Sequence, residues 1–507
     1  MSGIINEMIL IKDSVIVDGT GAPAKKADIL VKDGKILAIG SFPNHKADVV
    51  VEGMGLMTTP GFIDIDTDSD HYLSLFTDRP QHDFLMQGVT TIIGGHCGSS
   101  LAPLLRGSLK SIRKWGDVSQ VNVDWQLLGE FLEIVERIKL GVNFGTLVGH
   151  STIRRAILGE TLRDLTVKEM LAMKEVLKQA MEEGAFGLST GLAYNHSKNT
   201  PYSEIKELVE LVKKFKGIYA THIRDERGGV REAVDEAISI ARETGVATIV
   251  SHFRAIKGYV EGFKSGLDDL VEAAEKGVEI HFDGYPFDYS MLPIYTLLPD
   301  GVRHGSLEEM QEAISRANAH EEVYKTFGKI NGRDLIIARA PGFDYLVGKD
   351  LAEFASSHEL DFKEALLKLM KVTKLKAVLF VKNIDFAVTK DALLCERAFV
   401  SSNSPSLVED KNIIENERAA ETFTRYYDFA LEAGKSVEWV IEKFTSRPAK
   451  ILGLKNRGVV KEGKIADLAI LDNGRAVHVI VGGEVAVLNR SFQEVYNGEI
   501  LRRGKNS

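Results

Sequence analysis

The sequence predicts an α/β protein: a (β/α)8 TIM-like barrel with a small β-sandwich domain formed by both chain termini. Three observations predict it. The two ends of the chain carry short alternating strand-like runs, and neither set is long enough to close a sheet alone. The middle alternates strand-like and helix-like segments, the pattern of a parallel α/β fold. Along that middle, Asp66 to Cys97, Leu188 to His222, His222 to His252 and His252 to Asp283 are each close to one-eighth of a barrel of about 250 residues.

The N-terminal strands are expected at Met8 to Val17, Ala27 to Val31 and Lys35 to Ile39, with Gly19-Thr20-Gly21 and Asp33-Gly34 as turns. The C-terminal set is Ala466 to Leu471, Val477 to Val481 and Glu484 to Leu488, with Gly482-Gly483 at a hairpin position. Barrel strands are expected at Phe62–Asp66, Thr90–Ile93, Phe144–Val148, Phe186–Leu188, Ile218–His222, Ala247–His252, Glu279–Asp283 and Ala398–Ser401. Amphipathic helices intervene, among them Val230–Glu243, Gly262–Lys276 and Ser436–Thr445. Cys97 to Val148 and Asp283 to Ser401 are too long for one rung, so both carry insertions. The expected division is therefore 1–58 and 451–507 for the β domain and 59–450 for the barrel. A lid is expected at about 289–376, with helices at Leu307–Arg316, Lys349–Ser356 and Lys363–Met370.

Composition narrows the function classes. A net charge of −9 offers no basic footprint for nucleic acid. No apolar run approaches the roughly 20 residues that span a bilayer. Met1 to Val15 lacks the parts of a signal peptide. Cys97 and Cys395 are the only cysteines, so no disulfide framework is implied. The expectation is a cytoplasmic protein acting on a small molecule, with neither nucleic acid nor membrane as partner.

In such a barrel, functional groups sit at the C-terminal ends of the strands. Those ends carry Asp66, Asp68, Cys97, His150, His222, His252 and Asn403. Any one of these, alone, reads as a buried thiol or a satisfied polar group. At successive rungs, however, Cys97, His222 and His252 converge on one mouth. A thiolate with two imidazoles suits zinc, and three protein ligands leave the fourth position open for catalysis. Asp66 and Asp68 lie two apart and share a side of a regular strand. They read either as a turn pair or as a metal or proton-transfer pair.

At these residues the chain resembles the N-acyl-D-amino-acid deacylases (D-aminoacylases) of the amidohydrolase superfamily. The resemblance rests on an ordered series: Val17-Asp-Gly-Thr-Gly-Ala-Pro, Pro60-Gly-Phe-Ile-Asp, Gln87-Gly-Val-Thr-Thr, Cys97-Gly-Ser-Ser-Leu-Ala-Pro, Val148-Gly-His-Ser-Thr, Gly187-Leu-Ser-Thr-Gly-Leu, Tyr219-Ala-Thr-His-Ile-Arg-Asp-Glu, Ser251-His and Ala466-Asp-Leu. It implies a urease-like β domain and a metal barrel that hydrolyses the amide of an N-acylated D-amino acid. Cys97, His222 and His252 match the ligands of the family's tightly held zinc. His150, Arg254 and Tyr285 are expected at the substrate, with Arg254 where the family has a lysine.

The chain also departs from the family. Asp66-Thr67-Asp68 stands where the family has His-x-His, and Ser402-Asn403-Ser404 where it has a Ser-Asp-Gly motif with the catalytic acid. The family's His-Pro-Arg segment, whose arginine holds the substrate carboxylate, has no clear counterpart between Ser404 and Arg425. Three readings follow. One is a one-zinc hydrolase in which Asp66 or Asp68, brought beside Asn403 by barrel closure, supplies the base that an amide cannot. Another is a binding homologue that has lost the base. The third is a hydrolase with a second, harder ion such as Mg²⁺ or Mn²⁺ at Asp66 and Asp68.

Overall fold

The computed structural model describes residues 8–105, 109, 111–112, 115, 118, 121–194, 196–299, 301–303, 307–316, 331–407 and 416–504. The chain opens with β1 (Ile9–Ile16), β2 (Lys25–Lys32), β3 (Lys35–Gly40), β4 (Val49–Glu52) and β5 (Met57–Pro60). Asp33 and Gly34 both have positive φ, 51° and 74°, which is what a two-residue hairpin turn between right-twisted strands requires. β1 runs antiparallel to β2 and parallel to β4 and β5.

Parallel strands and helices then alternate: β6 (Phe62–Asp64), β7 (Val89–Gly94), β8 (Asn143–Thr146), β9 (Val148–Gly149), β10 (Gly187–Gly191), β11 (Ile218–His222), β12 (Thr248–Val250) and β13 (Ile280–Gly284). Nearly every residue in these strands is buried, because helices and side chains cover both faces. The helices show why. In Val230–Thr244 the buried positions Val230, Ala233, Val234, Ala237, Ile238 and Ala241 recur at helical spacing, and Gly245 ends the helix in the left-handed region at φ 66°. Val167–Glu183 starts from a Thr166/Glu169 capping box.

Between β13 and the last parallel strand lies an insertion with a core of its own. β14 (Ser290–Pro293), β15 (Leu335–Arg339) and β16 (Val378–Val381) form an antiparallel sheet in the order β14-β16-β15. The helices Leu307–Ser315, Leu351–Ser357 and Phe362–Val372 contribute to a separate cluster that includes Leu335, Ile337, Leu366 and Leu379. The three helices expected in this segment are therefore present. The sheet was not anticipated, and it carries the insertion past Lys376 to Val381. The insertion meets loops that follow the parallel strands: Ile256 bridges Ile384, and Lys257 N–H donates to the Asn383 carbonyl at 2.8 Å.

β17 (Ala398–Val400) pairs with β13, giving a six-stranded parallel sheet in the order β17-β13-β12-β11-β10-β9 beside the three-stranded β6-β7-β8. Leu147 alone separates β8 from β9. No ladder joins β6 to β17 among the described residues. Instead, Asn403 N–H donates to the Asp66 carbonyl at 2.9 Å, Asp68 N–H donates to Ser404 at 3.1 Å, and Ser402 N–H donates to the Asp64 carboxylate.

The chain ends in β18 (Leu468–Asp472), β19 (Arg475–Val481), β20 (Glu484–Leu488) and β21 (Ser491–Phe492). β5 hydrogen-bonds to β1 on one side and to β18 on the other, so the two termini form one continuous nine-stranded sheet, where a two-sheet sandwich was expected. Both ends feed its core through Ile9, Ile11, Ile29, Leu468, Ile470 and Ile480. The β2–β3 hairpin reaches residues just before β18, with Ile36 N–H on Lys464 O and Ala466 N–H on Gly34 O, so the sheet curls around that core. No helix among the described residues is long and apolar enough to cross a membrane.

Candidate metal centre

Three strand ends deliver Cys97, His222 and His252 to one point. His222 is the last residue of β11; Cys97 and His252 lie in the loops just past β7 and β12. That shifts the expected ends of several strands. Phe62–Asp66, Ala247–His252 and Ala398–Ser401 stop at Asp64, Val250 and Val400. For Ala247–His252 a physical cause is visible in the backbone: His252 has φ 39°, a left-handed conformation that no strand can hold, and Cys97 and Asn403, in the loops past β7 and β17, share it at 52° and 45°. For non-glycine residues it costs on the order of 1–3 kcal/mol and persists where surroundings enforce it, often at functional sites.

The Cys97 loop is seated by close backbone approach. A Cβ on Gly191 would stand 2.2 Å from the Cys97 carbonyl oxygen, and one on Gly98 would stand 2.6 Å from the Gly191 nitrogen. Cys97 Sγ lies 3.7 Å from His222 Nδ1 and 3.3 Å from His252 Nε2, and the three ligand atoms lie within 4.8 Å of one another. Bond lengths of about 2.3 Å to sulfur and 2.0–2.1 Å to nitrogen would place tetrahedral S and N partners roughly 3.5 Å apart. The donor set therefore fits zinc in both softness and spacing. Burial and the neighbouring His222 hold the His252 imidazole down at about 4, in its neutral, ligating form.

A carboxylate stands behind both imidazoles. Glu226 Oε2 is 3.5 Å from His222 Nε2, and Glu226 Oε1 is 3.4 Å from His252 Nδ1. Arg254 forks onto Glu226 at 2.7 and 3.3 Å, and also donates to the His252 carbonyl at 2.7 Å and to Ser290 Oγ at 3.3 Å. Burial would raise the Glu226 carboxyl, but Arg254 and the two imidazoles outweigh it and hold it well below the carboxylate range.

Beside the triad, Asp64, Asp66 and Asp283 are buried together. Burial lifts Asp64 to about 7 and Asp283 to about 6, although hydrogen bonds from Ser402 and Ser401 pull the other way. Asp66 is pushed well above its ordinary value by burial and then by the charges of Asp283, Asp68 and Asp64. Neither Asp66 carboxylate oxygen has a formed hydrogen bond, and His96, 3.6 Å away, has none at either ring nitrogen.

Asp68 differs from Asp66. Its Oδ1 accepts from His71 Nδ1 at 2.8 Å, and its side chain retains 13% exposure. Burial acts to raise it; His71, Arg418 and His252 overcome this and lower it. His71 also donates to Ser99 O at 3.0 Å and stacks on Trp115 with ring centroids 4.3 Å apart. Burial alone would lower the His71 imidazole, but Asp70 and Asp68 together with Ser99 raise it to about 9.

Asn403 is engaged by Arg418, a residue in the interval where sequence reasoning found no counterpart to the family's arginine. Arg418 Nε donates to the Ser402 carbonyl at 3.1 Å, and Nη2 donates to the Asn403 carbonyl and, at 3.0 Å, to Asn403 Oδ1. The guanidinium lies 4.0 Å from the centroid of the Tyr285 ring. Tyr285 thus takes its place through Arg418. His150 is placed differently: its Nε2 is bound to Glu204 at 2.8 Å, and Glu204 is also paired with Arg154.

Five residues were missed as site residues: Glu226, His71, His96, Asp283 and Arg418. Glu226 sits inside a string already singled out, four residues after His222, and His96 directly precedes another, which opens at Cys97. Asp283 ended an expected strand, and His71 stands three residues after Asp68. Arg418 carries no local signal; it lies on the helix Glu417–Glu432 and reaches the site only through the fold.

No family model matches the chain. Comparison with characterised proteins finds D-aminoacylase of Alcaligenes xylosoxydans xylosoxydans, 28% identical over 92% of this chain and 88% of that protein. Among solved structures, N-acyl-D-glutamate deacylase from Bordetella bronchiseptica, complexed with zinc and a phosphonate that mimics the tetrahedral intermediate, superposes with a TM-score of 0.83. It is 26% identical and covers 98% of this chain and 100% of its own. A D-aminoacylase described as defining a novel subset of amidohydrolases has a TM-score of 0.81 at 25% identity, covering 98% and 99%.

Proposed function

We propose that this chain, a relative of the N-acyl-D-amino-acid deacylases, is a zinc-dependent amidohydrolase that cleaves the amide of an N-acyl amino acid or a related amide. The observation that carries this reading is the Cys97–His222–His252 triad, with its ligand atoms already at zinc spacing. In this reading residues 59–450 form a closed (β/α)8 barrel, with the insertion from about 289 over its mouth, and 1–58 joins 451–507 as the β domain. Cys97 is in no disulfide, which suits a reducing, cytoplasmic compartment.

Zinc held there would lower the pKa of water to about 7 and polarise a carbonyl, which is what amide hydrolysis at neutral pH needs. The rest falls to the chain's own residues. Asp68 takes the proton of the attacking water and passes it to the departing nitrogen, with His71 fixing its Oδ1. Asp66, buried among acids, is the weaker candidate for that step; with His96 beside it, it is instead the candidate for a second cation. Asn403 does no proton transfer. Its amide oxygen accepts from Arg418 without cancelling the charge, which leaves the guanidinium free to meet a substrate carboxylate.

The test is metal analysis with a hydrolysis screen. Purified protein should carry about one equivalent of zinc, lose it in the His222→Ala variant, and release acid from N-acyl-D-amino acids in a chelator-sensitive way. Chelator-insensitive hydrolysis, or no hydrolysis across the screen with zinc bound, would overturn the reading.

A further inference from the structure

We infer that Glu226 is the positioning residue of the metal centre: one carboxylate that fixes the tautomers of both imidazole ligands at once. The inference rests on the zinc reading above.

The geometry is reciprocal. His222 turns Nδ1 toward Cys97 and Nε2 toward Glu226, while His252 turns Nε2 toward Cys97 and Nδ1 toward Glu226. The two ligands therefore coordinate through different nitrogens, and each must carry its proton on the other one. A neutral imidazole that gives one lone pair to a metal has an N–H on the far side, and an acceptor there sets ring orientation and basicity. Arg254 Nη1, which can only donate, is hydrogen-bonded to His252 Nδ1 at 2.9 Å. Ligation through Nε2 moves the imidazole proton onto Nδ1, and of its two neighbours only Glu226, at 3.4 Å, can accept it. For His222, Nε2 is buried without a formed hydrogen bond. Glu226 is the acceptor that both face, and its two oxygens divide between them.

Arg254 then acquires a role beyond substrate contact. Its fork holds Glu226 in place, and its Nε reaches Ser290 at the start of β14, whose Oγ donates to Asn383 at 2.9 Å. The carboxylate behind the metal is thus tied to the inserted sheet.

Glu226→Gln and Glu226→Asp test this in the full-length protein. Glutamine keeps the size but presents N–H donors to one of the two imidazole N–H groups. Aspartate keeps the charge for Arg254 but falls a methylene short of the rings. Both should hold zinc roughly 10–100-fold more weakly than the parent in chelator competition. Both should also change the visible absorption of the Co²⁺-substituted protein, which a merely structural role would not move. If either variant folds and matches the parent in zinc affinity and Co²⁺ spectrum, the inference is overturned. A parent that takes up no zinc would overturn the metal reading, and this one with it.

Discussion

The backbone N–H of Asn403 donates to the Asp66 carbonyl at 2.9 Å, so the chain just past β6 and the chain just past β17 meet at one point. The exchange seen in the sequence, acids after the first strand and an amide after the eighth, is therefore an exchange between neighbours in space. It divides the two aspartates. Asp66 is sealed among Asp64, Asp283 and His96, whereas Asp68 keeps some exposure and a fixed partner in His71.

That division predicts unequal phenotypes. Asp68→Asn should lower kcat by about 10²–10⁴ with zinc still bound. Asp66→Asn should cost far less in kcat, because Asp66 is sealed among acids that disfavour its charged form. Equal losses in the two variants, measured by steady-state kinetics on metal-replete protein, would count against Asp68 as the base.

Gly191 provides a test of how the Cys97 loop is seated. A methyl there would lie 2.2 Å from the Cys97 carbonyl oxygen and 2.7 Å from the Tyr194 ring. The nearest atom is backbone and cannot swing aside as a flexible side chain would, so Gly191→Ala should cost about 1–3 kcal/mol in stability and weaken zinc binding. Parent-like unfolding and zinc retention would show that the loop is more compliant than its contacts imply.

Much of this was legible in the sequence, for physical reasons. Ile218–His222 was delimited without error, because a largely apolar run ends on a polar residue. Cys97, His222 and His252 stood out because soft donors recurred at barrel spacing. The strand expected at Ala247–His252 was overshot because His252 adopts a left-handed backbone, which side-chain patterning does not register. The inserted sheet was missed because β14 and β15 are short and pair with β16 across long loops. Arg418 was invisible for a related reason: a helix far along the chain supplies it, and nothing local marks a buried guanidinium. Glu226 lay in plain view but reads as an ordinary surface acid until both imidazoles are placed around it.

Lys443 gives a pH prediction away from the centre. Burial, then the charge of Arg447, lowers it to about 7, against an ordinary value of 10.5. The sign follows from proton binding. Below pH 7 both folded and unfolded states hold the proton, and the cost of burying the charge is fully present. As pH rises from about 7 toward 10.5, the folded state releases its proton first and that cost is relieved, by up to about 1.4 kcal/mol per pH unit. Between pH 6 and pH 9, the stability of the parent relative to Lys443→Met should therefore improve by on the order of 2 kcal/mol. Denaturant melts at the two pH values measure it, and a constant difference would show that Lys443 stays charged.

The Arg418–Asn403 pair carries the last prediction. Arg418 is buried, rests against the Tyr285 ring, and has no carboxylate bonded to it among the described residues; its acceptors are two backbone carbonyls and the Asn403 amide oxygen. A buried cation held only by neutral acceptors is costly unless an anion completes it. An aspartate at position 403 would complete it permanently, whereas asparagine leaves the charge for the substrate. Asn403→Asp should then raise KM for N-acyl amino acids by roughly 10–100-fold, as Arg418→Met should, and neither should affect hydrolysis of an amide that lacks the carboxylate. The competing idea is that a carboxylate at 403 restores a base beside the metal. It predicts a higher kcat in Asn403→Asp, and partial rescue when Asp68 is also changed to Asn. The two accounts separate cleanly on one plot of kcat against KM for the single and double variants. A rise in KM that appears only for carboxylate-bearing substrates places Arg418 at the substrate; a gain in kcat independent of that carboxylate would assign position 403 to proton transfer instead.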